Sequence, residues 1–309
     1  MKKLSVVVPL YNEEQVLPEL VVRLSDALSA TNVAYEIVFV DDGSSDGTVS
    51  ILADTAKDDT RIKVVALSRN FGHQAAVSAG IDAVDGDAVV VMDGDLQDPP
   101  ELIHDFLEKF REGFDVVYAI RRARKEVWWK RAGYNLFYRI LSTFASGGVA
   151  IPRDAGDFSL MSRRVVDIIR AMPERNRYVR GLRAWAGFRQ IGIPYNRDAR
   201  YAGKTKYSLW KLVRFAYDGL FAFSYVPIMI VNAIGFLSSA VAFVGIIAVL
   251  YFKLFSTRDV PGFTATAVFI LFFSGIQLIA LGVLGEYMRR MYDEVKARPL
   301  YIIGKKINF

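Results

Sequence analysis

The chain has no cysteine and only two histidines, His73 and His104, among its 309 residues. The first absence excludes disulfides and thiolate metal centres, and the second argues against a histidine-rich metal cluster. Neither fixes a redox compartment, because a cysteine-free chain suits either side of a membrane. No G-x-G-x-x-G and no G-x-x-x-x-G-K-[ST] occurs, so the usual dinucleotide and P-loop phosphate cradles are missing. A secretory leader is not expected at the start. Lys2-Lys3 precede only the short apolar run Leu4 to Pro9, and Glu13-Glu14 follow without a small-residue cleavage site.

The formal charge is +6, and the basic residues cluster. Arg121, Arg122, Arg124, Lys125, Lys130 and Arg131 crowd one segment, and Arg289 to Lys306 holds another set. Nucleic acid is one reading of such clusters. Beside long uncharged runs, an anionic lipid surface or a phosphate-bearing substrate fits better, and no nucleic-acid partner is expected.

The most informative stretch is Val89-Val90-Val91-Met92-Asp93-Gly94-Asp95-Leu96-Gln97-Asp98-Pro99-Pro100. An apolar strand ending in acid places its carboxylates at a sheet's carboxyl edge, where open α/β sheets bind ligands. Asp93 and Asp95, with Gly94 leaving room between them, suit a hard divalent cation that also holds phosphate oxygens. A turn whose Asp residues cap the next helix is the competing reading.

Taken in order, strands are expected over Leu4 to Pro9, Tyr35 to Val40, Ile62 to Leu67, Asp87 to Met92 and Phe114 to Ala119. Helical apolar spacing lies between them, for example Val16, Leu17, Leu20, Val21, Leu24 and Leu28. Strands alternating with helices over about 120 residues imply a parallel, doubly wound sheet. The second strand also ends in acid, at Asp41-Asp42-Gly43-Ser44-Ser45-Asp46-Gly47-Thr48. Later, Asp154 to Met161 reads as an acidic turn entering a short strand. A helix near Arg163 to Ala171 and a strand near Gln190 to Pro194 complete the domain. A glycine-containing basic loop, Arg200 to Tyr207, follows.

The last third changes character. Ser208 to Ser224 interleaves aromatics with Lys211 and Arg214, as an interfacial membrane helix does. Val226 to Phe252 carries no charge, and its length of ~40 Å exceeds a hydrocarbon core of ~30 Å. Thr264 to Gly285 is a second uncharged run of ~33 Å. The expected organisation is a cytoplasmic domain over 1–207, interfacial helices over 208–225, two spans within 226–287 and a basic cytoplasmic tail over 288–309. The spans would lie at about 226–252 and 264–285. Lys204, Lys206, Lys211 and Arg214 before the first span, and Arg289, Arg290, Lys296 and Arg298 after the second, put both termini in the cytoplasm. Gly235, Gly245, Gly275, Gly282 and Gly285 offer packing points for a homo-oligomer.

Five motifs come in one order: Pro9-Leu10-Tyr11-Asn12-Glu13, Val40 to Thr48, Arg69-Asn70-Phe71-Gly72, Asp93-Gly94-Asp95-x-Gln97 and Arg200-Tyr201-x-Gly203-x-x-Lys206. With them the chain resembles, over essentially its full length, the family 2 glycosyltransferases of the GT-A fold. Within these it is similar to the polyprenyl-phosphate glycosyltransferases, including dolichol-phosphate mannose synthases and bactoprenol glucosyltransferases. The resemblance implies a Rossmann-like, mainly parallel sheet and a metal-dependent, inverting transfer of a sugar from a UDP-sugar to polyprenyl phosphate. Glucose leads among the sugars, and the bacterial inner membrane is the implied location. Pro9, Tyr11, Glu13, Val40 and Asp42 would surround the nucleotide. Asp93 would serve ribose and metal, Asp95 would be the likelier direct ligand of Mg²⁺ or Mn²⁺, and Gln97 would lie by the sugar or metal. Arg121, Arg200 and Lys206 match phosphate-binding positions. Asp157 is the candidate general base, with orientation of the acceptor or sugar hydroxyls as its alternative role. Two rival classes remain. A processive polysaccharide synthase normally carries a Q-x-x-R-W motif, which this chain lacks. A non-enzymatic nucleotide-sensing scaffold would not need the intact Asp-Gly-Asp.

Overall fold

The computed structural model describes residues 1–121, 155–175, 177–196, 226–255 and 262–309. The chain divides into two units, one comprising Met1–Ser142, Val149–Lys206 and Ala297–Phe309, the other Thr143–Gly148 and Tyr207–Lys296.

The first unit is built on one mixed sheet. Its strands are β1 (Lys3–Leu10), β2 (Ala34–Asp41), β3 (Ile62–Leu67), β4 (Ala88–Val91), β5 (Val116–Arg121), β6 (Ala155–Ser162), β7 (Gln190–Tyr195) and β8 (Ile303–Ile307), in the order β7-β5-β6-β4-β1-β2-β3-β8. The four strands β3-β2-β1-β4 run parallel. β6 is antiparallel to both β4 and β5, and β7 is parallel to β5.

The apolar runs make sense once both faces are covered, because a strand buried on two sides has no polar face to alternate. Leu4, Val6 and Val8 of β1, with Ile37 and Phe39 of β2, pack into one core. That core takes in Leu20 and Leu24 of helix α1 (Leu17–Ser29), Leu52 of α2 (Thr48–Asp58) and Phe106 of α4 (Ile103–Arg111). Val7, Val38, Val40, Val89 and Val91 point the other way. They meet Ala76 and Val77 of α3 (His73–Ala83), Val165 and Ile169 of α5 (Arg163–Ala171) and Leu182 of α6 (Val179–Trp185). Gly80 lets α3 approach closely, since a Cβ there would sit 2.2 Å from Val7 Cγ1.

One expectation changes. The segment read as the end of a basic tail adds β8 to the sheet instead, antiparallel to β3. Ser68 N–H donates to the Ile302 carbonyl at 2.9 Å, so the segment covers an edge whose backbone groups would otherwise be exposed. In the second unit, helix α7 (Val226–Phe255) is followed by α8 (Phe263–Lys296). Two spans were expected, but among the described residues only Val226–Ala248 is long and apolar enough to cross a membrane. The run expected at 264–285 lies within a longer helix whose end carries Glu286, Arg289, Arg290, Asp293 and Lys296. Apolar side chains on α7 stay exposed, Phe236 at 80% and Phe243 at 64%.

Candidate active site

β1 is hydrogen-bonded to β2 on one side and β4 on the other, so the chain's progression reverses there. Crevices at the carboxyl ends of such strands are where open α/β sheets bind ligands. Asp93 and Gly94 follow β4, and Tyr11 follows β1. A Cβ on Gly94 would lie 2.3 Å from Leu10 Cδ2 and 3.3 Å from the Pro9 carbonyl. Glycine lets this turn rest on the end of β1, where a side chain would press on Leu10 and the Pro9 carbonyl.

The loops after β1 and β2 lock together. Asn12 N–H donates to Ser44 Oγ at 2.9 Å, and Ser45 N–H donates to Asn12 Oδ1 at 2.8 Å. Glu13 N–H donates to Thr48 Oγ1, while Glu14 accepts from Gly47 N–H at 2.7 Å. Asp46 accepts from Thr48 N–H at 3.0 Å just ahead of α2, whose N-cap position is Gly47. Tyr11 is 48% exposed at this rim, and an open aromatic face there can stack on a planar base. Pro9 pairs in register with Val40. The Val40 side chain is core, packed near Gly80.

Asp41 and Asp42 hold backbone. Asp41 accepts from Gly43 and Ser44 N–H groups. Asp42 accepts from Phe71 N–H at 2.7 Å and Gly72 N–H at 2.9 Å. The Arg69 to Gly72 motif is thereby tied to the second acidic motif. Burial raises the Asp42 pKa, with Asp41 adding to the rise and the two amides opposing it.

The Asp93 to Asp98 turn concentrates negative charge. Burial pushes the Asp93 pKa up to about 6, and the charges of Asp157, Asp98 and Asp95 add to this while His73 opposes it. Asp95 Oδ1 accepts from Gln97 N–H at 3.1 Å. Asp98 is buried and accepts from Tyr195 Oη, and Arg121 bonds the same phenol.

Asp157 lies inside β6 rather than in a turn. Its carboxylate is 5% exposed and surrounded by donors. Arg180 of α6 reaches Oδ1 through Nε at 3.1 Å and Oδ2 through Nη2 at 3.2 Å. Gln74 Nε2 donates to Oδ2 at 3.2 Å, and His73 Nε2 lies 3.3 Å from the same oxygen. His73 Nε2 is also 3.6 Å from Asp93 Oδ1. Burial alone would raise the Asp157 pKa, but the His73 contact and the Arg180 charge outweigh it and hold the group well below the carboxylate range. Burial would lower the His73 pKa, yet the bond to Asp157 and the charges of Asp93 and Asp157 raise it. These contacts favour the ionised form of Asp157.

A divalent cation fits this sheet edge on the chemistry of its donors. His73, Asp93 and Asp157 present ligand atoms within 4.8 Å of one another. The raised Asp93 pKa marks negative charge that a cation would relieve, and carboxylate oxygens suit Mg²⁺ or Mn²⁺. The converging trio includes Asp93 but not Asp95, the residue that the resemblance favours as direct ligand. Arg200 and Lys206 lie outside the described residues, as does the interfacial segment 208–225. His73, Gln74 and Arg180 are not singled out as site residues by the sequence reading. α6 carries no motif, and only the α3, β6 and α6 packing brings these side chains together.

The fold agrees with comparisons to known proteins. Residues 5–169 match the family model described as glycosyl transferase family 2. The chain is 47% identical over 302 residues to the uncharacterized glycosyltransferase YkcC of Bacillus subtilis, covering 97% of this chain and 93% of that one. It is 40% identical over 304 residues to the prophage bactoprenol glucosyl transferase homolog of Escherichia coli, covering 98% and 99%. Among solved structures it is similar to glucosyl-3-phosphoglycerate synthase from Mycobacterium tuberculosis, in complex with Mn²⁺, uridine diphosphate and phosphoglyceric acid. The TM-score is 0.51 at 19% identity, covering 71% of this chain and 76% of that one, a likeness of fold.

Proposed function

We propose, from the premise that this chain belongs to glycosyl transferase family 2, that it transfers a sugar from a nucleoside diphosphate donor to polyprenyl phosphate. UDP-glucose is the leading donor and undecaprenyl phosphate the leading acceptor. The observation that carries this reading is the meeting of Asp93 and Asp157 with His73 and Arg180 at one sheet edge. The E. coli relative, named a bactoprenol glucosyl transferase homolog, supports the lipid acceptor and the sugar.

The step is a single in-line displacement. An acceptor phosphate oxygen attacks C1 of the sugar as the bond from C1 to the diphosphate breaks, and the nucleoside diphosphate leaves with the electron pair. The anomeric centre inverts. A phosphate monoester has a second pKa near ~6, so the attacking oxygen carries no proton at neutral pH and needs no strong base. Tyr11 stacks on the base, and the Pro9 to Glu13 and Val40 to Asp42 segments enclose the nucleoside. Arg121, Arg200 and Lys206 contact phosphate, as arginine's planar fork suits. Asp95 and Asp93, with Gln97 beside them, would hold Mg²⁺ or Mn²⁺, which would neutralise charge on the departing diphosphate.

Two spans with both termini cytoplasmic would hold the domain where a soluble donor and a membrane-embedded acceptor meet. Helix association through the glycine-bearing faces would give an oligomer, and among the described residues a Cβ at Gly235, Gly245, Gly275, Gly282 or Gly285 would meet nothing within 4 Å.

The test is a panel of nucleotide sugars offered to the purified full chain with undecaprenyl phosphate and Mn²⁺. Lipid-linked sugar from UDP-glucose supports the reading, and no transfer from any donor removes it. Full activity in Asp95→Asn would overturn the assignment of Asp95 to the metal.

A further inference from the structure

Around Gly156 and Asp157 the described residues gather three guanidinium groups, from Arg121, Arg180 and Arg183. Arg180 and Arg183 lie three residues apart on α6, hence one turn from each other. Arg180 grips Asp157. Arg183 is 1% exposed, reaches toward the Gly156 carbonyl at 3.5 Å and stacks over Tyr118 at 5.3 Å. Arg121 comes from β5, with Nη2 3.4 Å from where a Gly156 Cβ would stand. Among the described residues, the Nε atoms of Arg121 and Arg183 are buried with no hydrogen-bond partner. Burying guanidinium charge is costly, and anionic charge close by offsets that cost. Burial lowers the Arg183 pKa to about 10, opposed by the charge of Asp157, so Arg183 remains a cation at neutral pH.

We propose that Arg180, Arg183 and Arg121 form the cradle for the acceptor's phosphate dianion, and that Asp157 orients Arg180 rather than accepting a proton. The inference rests on the polyprenyl-phosphate reading above and names the residues that serve its acceptor. Arg180, whose side chain is 23% exposed, is the member that can touch the phosphate. Arg183 lies behind it as buried positive charge, and its role is positional. Chemically the assignment is economical. The dianion's oxygen forms the new bond to C1, the diphosphate takes the electron pair, and no proton has to move. The carboxylate's part is to hold a guanidinium fork in one orientation before the acceptor arrives, so that less freedom is lost on binding.

The experiment uses the full chain in detergent with UDP-glucose, Mn²⁺ and undecaprenyl phosphate, and compares wild type with Arg180→Gln and Arg180→Lys. Transfer rates are measured while donor and acceptor are varied separately. Binding of undecaprenyl phosphate alone is followed by intrinsic tryptophan fluorescence, and a thermal melt selects folded variants. Loss of a charge-assisted contact should raise the acceptor KM and Kd about tenfold or more in Arg180→Gln, with less effect in Arg180→Lys. The donor KM should stay within about twofold. An unchanged acceptor KM in folded Arg180→Gln would overturn the cradle while leaving the transferase reading intact. If wild type binds undecaprenyl phosphate through Arg180 yet transfers nothing from any nucleotide sugar, the cradle stands and the transferase reading falls. If wild type neither binds nor transfers, both fall. A second readout addresses Asp157. The acid limb of the rate, set by the acceptor's second ionisation near ~6, should persist in Asp157→Asn. Its disappearance there would restore Asp157 as the proton acceptor.

Discussion

Asp157 of β6 and Arg180 of α6 meet through two nearly parallel contacts, Nε to Oδ1 at 3.1 Å and Nη2 to Oδ2 at 3.2 Å. The carboxylate is 5% exposed, so removing its guanidinium leaves a buried charge undercompensated. Arg180→Ala should cost about 2–3 kcal/mol, below the usual cost of breaking a buried pair because His73 and Gln74 remain. In Asp157→Asn/Arg180→Ala the losses should not add, with a coupling above about 1 kcal/mol in denaturation of the solubilised chain. Additive losses would mean that the pair is not a unit.

The raised Asp93 pKa, about 6, has a definite sign. Its folded pKa lies above the unfolded value, so the folded state binds more protons between about pH 4 and 6. Stability therefore falls as pH rises through that window. In the absence of added cation, Asp93→Asn should stabilise the chain at pH 7.5 by on the order of 1–2 kcal/mol, and the gain should vanish near pH 4. Thermal melts across pH check this. A gain that persists at pH 4 would contradict it. Adding Mn²⁺ at pH 7.5 should raise the wild-type melting temperature more than that of Asp93→Asn.

Gly43 has φ of 69°, and a Cβ there would sit 2.4 Å from the Arg69 carbonyl carbon. Both strain and clash act on the turn that Asp41 holds. Gly43→Ala should destabilise by about 2 kcal/mol or more and weaken nucleotide binding with it. UDP titration followed by Tyr or Trp fluorescence, beside a melt, separates the two effects. Unchanged UDP affinity in the variant would detach this turn from the donor site.

Removing β8 should expose the β3 edge. Asn308 Nδ2 donates to the Ile62 carbonyl at 2.8 Å, and Tyr301 Oη bonds Asp82 at 2.7 Å. A chain ending at residue 300 should melt several degrees lower and aggregate more readily through the open edge. Hydrogen exchange of the β3 amides should accelerate in the same variant. Unaltered protection would show that β8 adds nothing to the sheet.

The alternation of apolar runs with helical spacing is enough to place β1 to β4 and their helices within a residue or two, because strands buried on both faces are uniformly apolar. Acidic strand ends were legible for the same reason. Asp157 is visible in the sequence, but one acid beside Gly156 looks alike in a turn and in a strand such as β6, which is paired on both sides. His73, Gln74 and Arg180 were not legible. Their role comes from α3 and α6 meeting over β6, a juxtaposition that no local spacing records. β8 was hidden by its lysines, which an exposed edge strand tolerates and a core strand does not.

The most direct measurement is transfer of labelled glucose from UDP-glucose by the purified full chain, with Mn²⁺, to undecaprenyl phosphate, undecaprenol or water. The expected result is label in the lipid phase only when the phosphate is present, with the sugar β-linked. Label appearing solely as free glucose, or equally on undecaprenol, would contradict the account.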